Sequence, residues 1–191
     1  VIFRTLKFLV RIILVVVRRW EIEGAENIPG SDGVVLVANH VSYWDPVVVI
    51  CAFKRKVYFM AKAELFKIPV VGYVVGISGA FPVRRDRTDR NAIRTALRLL
   101  EEGEVVGVFP EGTRSHSGEM LKPHLGAAML ALKSGAPVLP VAVSGTRGFW
   151  GKIRVRVGRP IPVESFKTGS RGDLESLSDL AMSRIGALLG E

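Results

Sequence analysis

With one cysteine, Cys51, the chain cannot close an internal disulfide. Cys51 lies in the apolar run PVVVICAF and reads as a buried, inert thiol, compatible with a reducing compartment. Histidine is nearly as scarce. His40, His116 and His124 show neither H-x-x-x-H nor H-E-x-x-H spacing, so no metal site is expected. G-x-G-x-x-G and GK[ST] are missing too, which removes nucleotide binding through those loops. The opening VIFRTLKFLVRIILVVVRRW holds no uncharged run longer than IILVVV, 12 to 17, against the roughly 20 residues a membrane span needs. No small-residue cleavage site follows it, and there are no repeats or low-complexity tracts. Acid is in short supply: 18 Asp and Glu face 27 Lys and Arg, a net charge of +9 and a pI near 10.1. Such an excess calls for an anionic partner, whether nucleic acid, an anionic membrane or a phosphorylated substrate. Few aromatics are interleaved with the basic residues, which argues against nucleic acid.

At 191 residues, 48% of them hydrophobic, there is material for one domain with a full core. Residues 1–22 read as a separate amphipathic helix. Arg4, Lys7, Arg11 and Arg18 are spaced 3, 4 and 7 apart and share one stripe of a helix, with Ile, Leu, Val and Phe opposite and Trp20 at its end. The pattern fits a helix in the membrane interface, apolar side down and cations near lipid phosphates. The alternative is a helix packed on its own domain. After a linker over 23–33, short β-branched runs alternate with helical stretches. Strands are expected at Val34–Ala38, Val57–Ala61, Ala80–Val83, Val105–Phe109, Val138–Val143 and Ile153–Val157. Helices are expected at Pro46–Phe53, in part of Glu64–Ile77, and at Thr88–Glu102, Gly126–Lys133 and Leu174–Leu189. The alternation predicts a single α/β domain over 23–191, a largely parallel or mixed sheet flanked by helices.

Ligands of such sheets bind in loops beyond the strand ends, and three polar clusters occupy such loops. In NHVSYWDP, Asp45 before Pro46 serves equally well as a helix cap, alone or in an S-x-x-D box with Ser42, and as a carboxylate that orients His40. Capping leaves His40 and Asn39 unexplained; a turn between His40 and Asp45 would make the imidazole a competent general base. No serine or cysteine nucleophile stands out. In FPEGTRS, Arg114 suits phosphate through its planar fork, and Gly112 permits close backbone approach. In RRDRTDR, Arg85 follows a strand and can project into the same crevice, although charge runs are more often solvated. Lys62, after another strand, is a further candidate phosphate cation.

These clusters, in this order, resemble the 1-acyl-glycerol-3-phosphate (lysophosphatidic acid) acyltransferases. Asn39-His40-Val-Ser-Tyr-Trp-Asp45 is similar to the family's N-H-x4-D block, and Gly79-Ala-Phe81-Pro-Val83-Arg84-Arg85 to its second. Phe109-Pro110-Glu111-Gly112-Thr113-Arg114-Ser115 is similar to the third in every residue, and Val138-Leu-Pro140-Val-Ala-Val143 to the fourth. Ala61-Lys62-Ala-Glu64-Leu-Phe-Lys67-Ile-Pro69 also has the family's look. Pro82, and Pro123-His124-Leu125-Gly126, depart from its pattern.

The resemblance implies a one-step acyl transfer without an acyl-enzyme, needing no cofactor. His40, oriented by Asp45, would deprotonate the lysophospholipid hydroxyl for attack on an acyl thioester of coenzyme A or acyl carrier protein. Arg85, Glu111, Gly112, Thr113 and Arg114, with Lys62, would bind the glycerol phosphate. The enzyme would sit on the cytoplasmic face of the cell membrane, on anionic lipid. Two alternatives are the same chemistry on another acceptor, such as glycerol 3-phosphate, another lysophospholipid or a lyso-aminolipid, and a non-catalytic protein that binds anionic lipid. A metal-dependent phosphohydrolase is a third.

Overall fold

In Val34–Ala38 every one of five consecutive side chains is buried. Since strand side chains alternate faces, this requires a sheet covered on both sides. The structure, a computed structural model, describes residues 2–84, 89–148, 150–166 and 169–190. In chain order its elements are α1 (Ile2–Arg18), β1 (Glu21–Glu23), β2 (Val34–Ala38), α2 (Asp45–Ala52), β3 (Val57–Lys62), α3 (Pro69–Ile77), β4 (Phe81–Val83), α4 (Arg90–Glu101), β5 (Val105–Val108), α5 (Gly126–Ser134), β6 (Val138–Ser144), β7 (Arg154–Val157) and α6 (Arg171–Gly190). Short 3-10 turns cover Ala25–Asn27 and Ala63–Lys67.

The seven strands form one sheet in the order β1-β7-β6-β2-β5-β3-β4. Every neighbouring pair is parallel except β6 with β7. The expected α/β domain with a mostly parallel, mixed sheet is thus the one observed. Pro140 is tolerated inside β6 for a local reason. Its carbonyl accepts from Gly158, just past β7, and pairing with β7 starts at Val141, so the missing N–H faces the end of that strand.

The sheet separates two apolar layers. On one side α4, α5 and α6 bury Ala96, Leu100, Leu130, Leu177 and Ile185. On the other, α1 and α2 bury Leu14, Val48, Val49 and Phe53 against Leu36, Phe59 and Val155. Crossovers β2-α2-β3 and β3-α3-β4 step one way across the sheet, β4-α4-β5 and β5-α5-β6 the other. Right-handed connections therefore place α2 and α3 on one side and α4 and α5 on the opposite one.

Most expected elements stand within two residues of their places, with four differences. The helix expected to open at Thr88 or Asp89 begins at Arg90 with Asp89 as its cap; Thr88 lies outside the described residues. Pro69 does not merely disrupt Glu64–Ile77. It takes the first helical position of α3, after a separate 3-10 turn. The final helix starts three residues early, at Arg171. Strand β1 was not expected, because Glu-Ile-Glu offers one apolar residue. Its pairing with β7 carries it, so the division between 22 and 23 falls inside a strand.

Helix α1 forms as expected and keeps its apolar face outward, but part of its basic stripe turns inward. Arg18 is buried and donates from Nε to the Gly151 carbonyl (3.1 Å) and from Nη2 to that of Gly145 (2.6 Å). Lys7 Nζ donates to the Phe53 carbonyl (2.6 Å) at the C-terminus of α2, where the helix dipole favours a cation. The Arg11 guanidinium lies 5.6 Å from the centre of the Trp20 ring, and that indole is itself buried. Arg18 and Trp20 are therefore buried and do not reach outward to lipid headgroups, as the sequence led one to expect; Lys7 is half-buried on the Phe53 carbonyl, and Arg4 and Arg11 remain exposed. Periodicity shows that these side chains share a stripe. Which stripe faces the protein depends on carbonyl acceptors more than forty residues away in the chain. Outward point Phe8, Ile13 and Val16, 62%, 56% and 72% exposed. Among the described residues no helix is long and apolar enough to cross a membrane.

Candidate active site

The C-terminal ends of β2, β5 and β6 lie side by side, and the loops that leave them build one site. Asn39 starts it. Its side-chain amide donates to the Val143 carbonyl (2.9 Å) and accepts from the Val143 N–H (2.8 Å), tying the end of β2 to β6. His40 follows, its backbone held by the loop after β5. Its N–H donates to Glu111 Oε1 (2.8 Å), and its carbonyl accepts from the Ser115 N–H (2.8 Å). The imidazole stacks on Phe109, 4.0 Å between ring centres, and Phe59 stacks behind Phe109 at 5.0 Å.

The turn Val41–Trp44 then carries the chain back, so that Asp45 Oδ2 lies 2.9 Å from His40 Nδ1. The same oxygen accepts from the N–H groups of Val41 and Ser42, both at 2.7 Å. Asp45 Oδ1 accepts from the Thr146 hydroxyl at 2.6 Å, with both residues buried. This carboxylate takes the first position of α2 but does not cap it; it points back over the turn. The S-x-x-D box is half formed. Asp45 reaches the Ser42 N–H, while the Ser42 hydroxyl accepts from Trp44 at 3.2 Å.

A carboxylate that receives three other donors obliges Nδ1 to donate as well, so the lone pair of neutral His40 sits on Nε2. The imidazole is 12% exposed and the carboxylate fully buried. The carboxylate thus fixes the orientation of the imidazole ring.

The remaining candidates divide. Arg114 is half-buried, its guanidinium 3.5 Å from the centre of the Tyr43 ring and so beside the His40–Asp45 turn. Thr113 is exposed, and Gly112, at φ 68°, turns the chain so tightly that a Cβ there would meet the His124 ring. Glu111 has both carboxylate oxygens engaged by backbone N–H groups. It is buried, with one oxygen on His40 N–H and the other on Leu121 N–H (2.9 Å), and a buried carboxylate would repel a phosphate. Its work is to join the β2 and β5 loops. Lys62, exposed at the end of β3, lies 3.9 Å from Glu64. Arg85 lies outside the described residues.

Beside Phe109 opens an apolar cleft of about 410 Å³, lined by Met60, Val83, Ile93, Val108 and Leu130 and edged by Arg84 and His124. Thr146 and Phe109 were not singled out as site residues. Phe109 merely ended a strand. Thr146 lies about a hundred positions from Asp45, in an unremarkable Ser-Gly-Thr-Arg turn, and no local signal connects the two.

Comparison with known proteins gives this geometry a context. The model of the family described as Acyltransferase matches residues 19–144, which include both loops of the site. A 1-acyl-sn-glycerol-3-phosphate acyltransferase of Borreliella burgdorferi is 35% identical over 69% of this chain and 53% of its own length. One of Bacillus subtilis is 31% identical over 85% of this chain and 84% of its own. The crystal structure of the 1-acyl-sn-glycerophosphate (LPA) acyltransferase PlsC from Thermotoga maritima superposes with a TM-score of 0.73 at 32% identity, covering 90% of this chain and 73% of that one. The chain spans about half the length of several curated relatives, 53% of the Borreliella protein and 49% of a chloroplastic one from Brassica napus. The match over most of the chain, in sequence and in fold, shows that it belongs to the Acyltransferase family.

Proposed function

We propose that this protein transfers a fatty acyl group from a thioester to the free sn-2 hydroxyl of 1-acyl-glycerol 3-phosphate, giving phosphatidic acid. The observation that carries this reading is the buried Asp45 carboxylate, held by four donors and set 2.9 Å from His40 Nδ1. His40 Nε2 takes the hydroxyl proton as the oxygen attacks the thioester carbonyl. The tetrahedral intermediate collapses by breaking the carbon–sulfur bond, and the departing thiolate receives the proton from the imidazolium. Asp45 stabilises that imidazolium throughout.

No acyl-enzyme is needed. Ser42 and Ser115 use their hydroxyls on the N–H groups of Trp44 and Gly118, and the Cys51 thiol is buried below α1. Burial also raises the Cys51 pKa and suppresses its thiolate. Arg114, steadied by Tyr43, and Arg85 bind the phosphate, with Gly112 and Thr113 allowing its approach. The cleft beside Phe109 takes one of the acyl chains. Helix α1 lays its outward apolar face into the lipid interface on the cytoplasmic side, where coenzyme A or acyl carrier protein delivers the donor.

His40→Ala should lower kcat by about 10²–10⁴-fold and leave vesicle binding intact, measured as phosphatidic acid formed from lysophosphatidic acid. Turnover unchanged by that substitution would remove the assignment. A panel of glycerol 3-phosphate and other lysophospholipids, each with both donors, identifies the acceptor.

A further inference from the structure

Helix α3 reads PVVGYVVGI and buries none of its residues. Val70 is 76% exposed and Tyr73 59%, while Ile68, Val71 and Val74 are each two-fifths exposed or more. Nine residues make a marginal helix in water even with good formers, and β-branched valines are not good formers. This one is held from its N-terminal side, where the backbone at Gly72 approaches that of Phe66 too closely to admit a Cβ. Apolar side chains presented together and rimmed by charge mark a surface that meets something other than water.

Its neighbours indicate what that is. Helix α3 lies on the same side of the sheet as α2, against which α1 packs. The turn Phe53–Lys56, which links α2 to β3, lies against α1. With α1 it forms a groove of about 860 Å³ whose polar residues are Arg4, Lys7, Arg11, Lys54 and Lys56, without a carboxylate. The Lys56 stem also lies against Gly79, two residues after α3. The 3-10 turn that packs against α3 is bounded by exposed Lys62 and Lys67, and the one acid between them, Glu64, is paired with Lys62. Basic residues thus border α1 directly and stand near both ends of α3.

We infer that α3 and the lysine turn Lys54–Lys56 form a second bilayer contact beside α1, for a membrane that carries anionic lipid. The charge decides the occupant. Two copies meeting through this face would oppose one cationic surface to another, whereas anionic headgroups neutralise it while α1 and α3 enter the acyl boundary. The inference rests on α1 being interfacial and adds a function that α1 alone lacks. A single helix in the interface leaves the protein free to roll about the helix axis. A second contact off that axis stops the roll and holds His40 at one height above the lipid surface.

The test uses the full chain and vesicles of phosphatidylcholine, with or without an equal share of phosphatidylglycerol. Val70→Ser with Tyr73→Ser should weaken binding to both by roughly tenfold, since the lost apolar burial does not depend on headgroup charge. Lys54→Gln with Lys56→Gln should weaken binding by about fivefold per lysine, and only where phosphatidylglycerol is present. A Val70→Cys variant carrying an environment-sensitive fluorophore should shift to the blue on vesicle addition, native Cys51 being buried. All variants should keep the melting temperature and the turnover of short-chain, monomeric substrates. Unchanged vesicle affinity in the α3 variant overturns the inference, as does a fluorophore that stays in water. An α3 variant that alters oligomeric state by light scattering, with affinity unchanged, assigns the face to a second copy and overturns it too. Vesicle binding is read without turnover, so failure of the proposed reaction and failure of this contact are separate results.

Discussion

Helices α1 and α4 are both sharply amphipathic, and they use the property in opposite directions. α4 buries Ala92, Ala96, Leu99 and Leu100 and leaves Arg90, Arg94 and Arg98 exposed, the last 2.7 Å from Glu102. α1 buries Leu14 and Arg18, turns Lys7 onto the protein, and leaves Phe8, Ile13 and Val16 outside. An amphipathic helix has two faces; its sequence alone does not say which solvent each one meets. In α4 the outer solvent is water. In α1 Lys7 and Arg18 find carbonyl oxygens inside, so the apolar face is left for a different solvent, and lipid is the one proposed.

The largest expected effect comes from placing one charge on the apolar face of each helix. Leu100→Asp puts a carboxylate in the core and should destabilise by about 4 kcal/mol or more in urea unfolding. Val16→Asp should leave stability within about 0.5 kcal/mol and instead weaken vesicle binding. If Val16→Asp unfolded the protein as Leu100→Asp does, the contrast would be wrong. A middle effect concerns the cations. Arg18→Ala removes two charge-assisted hydrogen bonds and leaves the carbonyls of Gly145 and Gly151 without that donor, a cost of about 2–4 kcal/mol by the same assay. Arg94→Ala, on exposed α4 surface, should cost at most about 0.5 kcal/mol.

The smallest effect belongs to the start of α4. Asp89 accepts from the N–H groups of Arg84, Asn91 and Ala92, which lower its carboxyl pKa, Arg84 foremost. The folded pKa is depressed, so the contribution is present above the ordinary carboxylate range and is lost as pH falls through the folded value. The melting temperature of wild type should therefore fall towards that of Asp89→Ala as the buffer is made more acid, with Asp89→Asn between the two.

Much of the fold was legible because the central strands are covered on both faces. Such strands read as unbroken β-branched runs, and β2 and β6 stand close to where those runs lie. β1 was not legible, since three residues with one apolar side chain make a strand only when β7 presents an open ladder. In the site, the spacing of His40 and Asp45 raised a question that local rules could not close. Capping and orientation compete for the same carboxylate, and the turn resolves them by aiming it backwards over Val41 and Ser42. Glu111 shows the reverse. A glutamate beside an arginine at a strand end looks like ligand chemistry until both its oxygens prove to be taken by backbone N–H groups.

The amino-acid sequence by itself determined the alternation of elements, the single domain, the amphipathic first helix and the order of the conserved-looking blocks, because each depends on neighbours within a turn or a strand. Tertiary structure alone decided which face of α1 is outermost, that Glu111 braces the β2 and β5 loops, that Thr146 supports Asp45 from a hundred residues away, and that α3 stands bare beside a lysine turn. The reason is common to all four. Each depends on which distant donor, acceptor or apolar wall the sheet brings within a few ångströms, and chain order does not encode that distance.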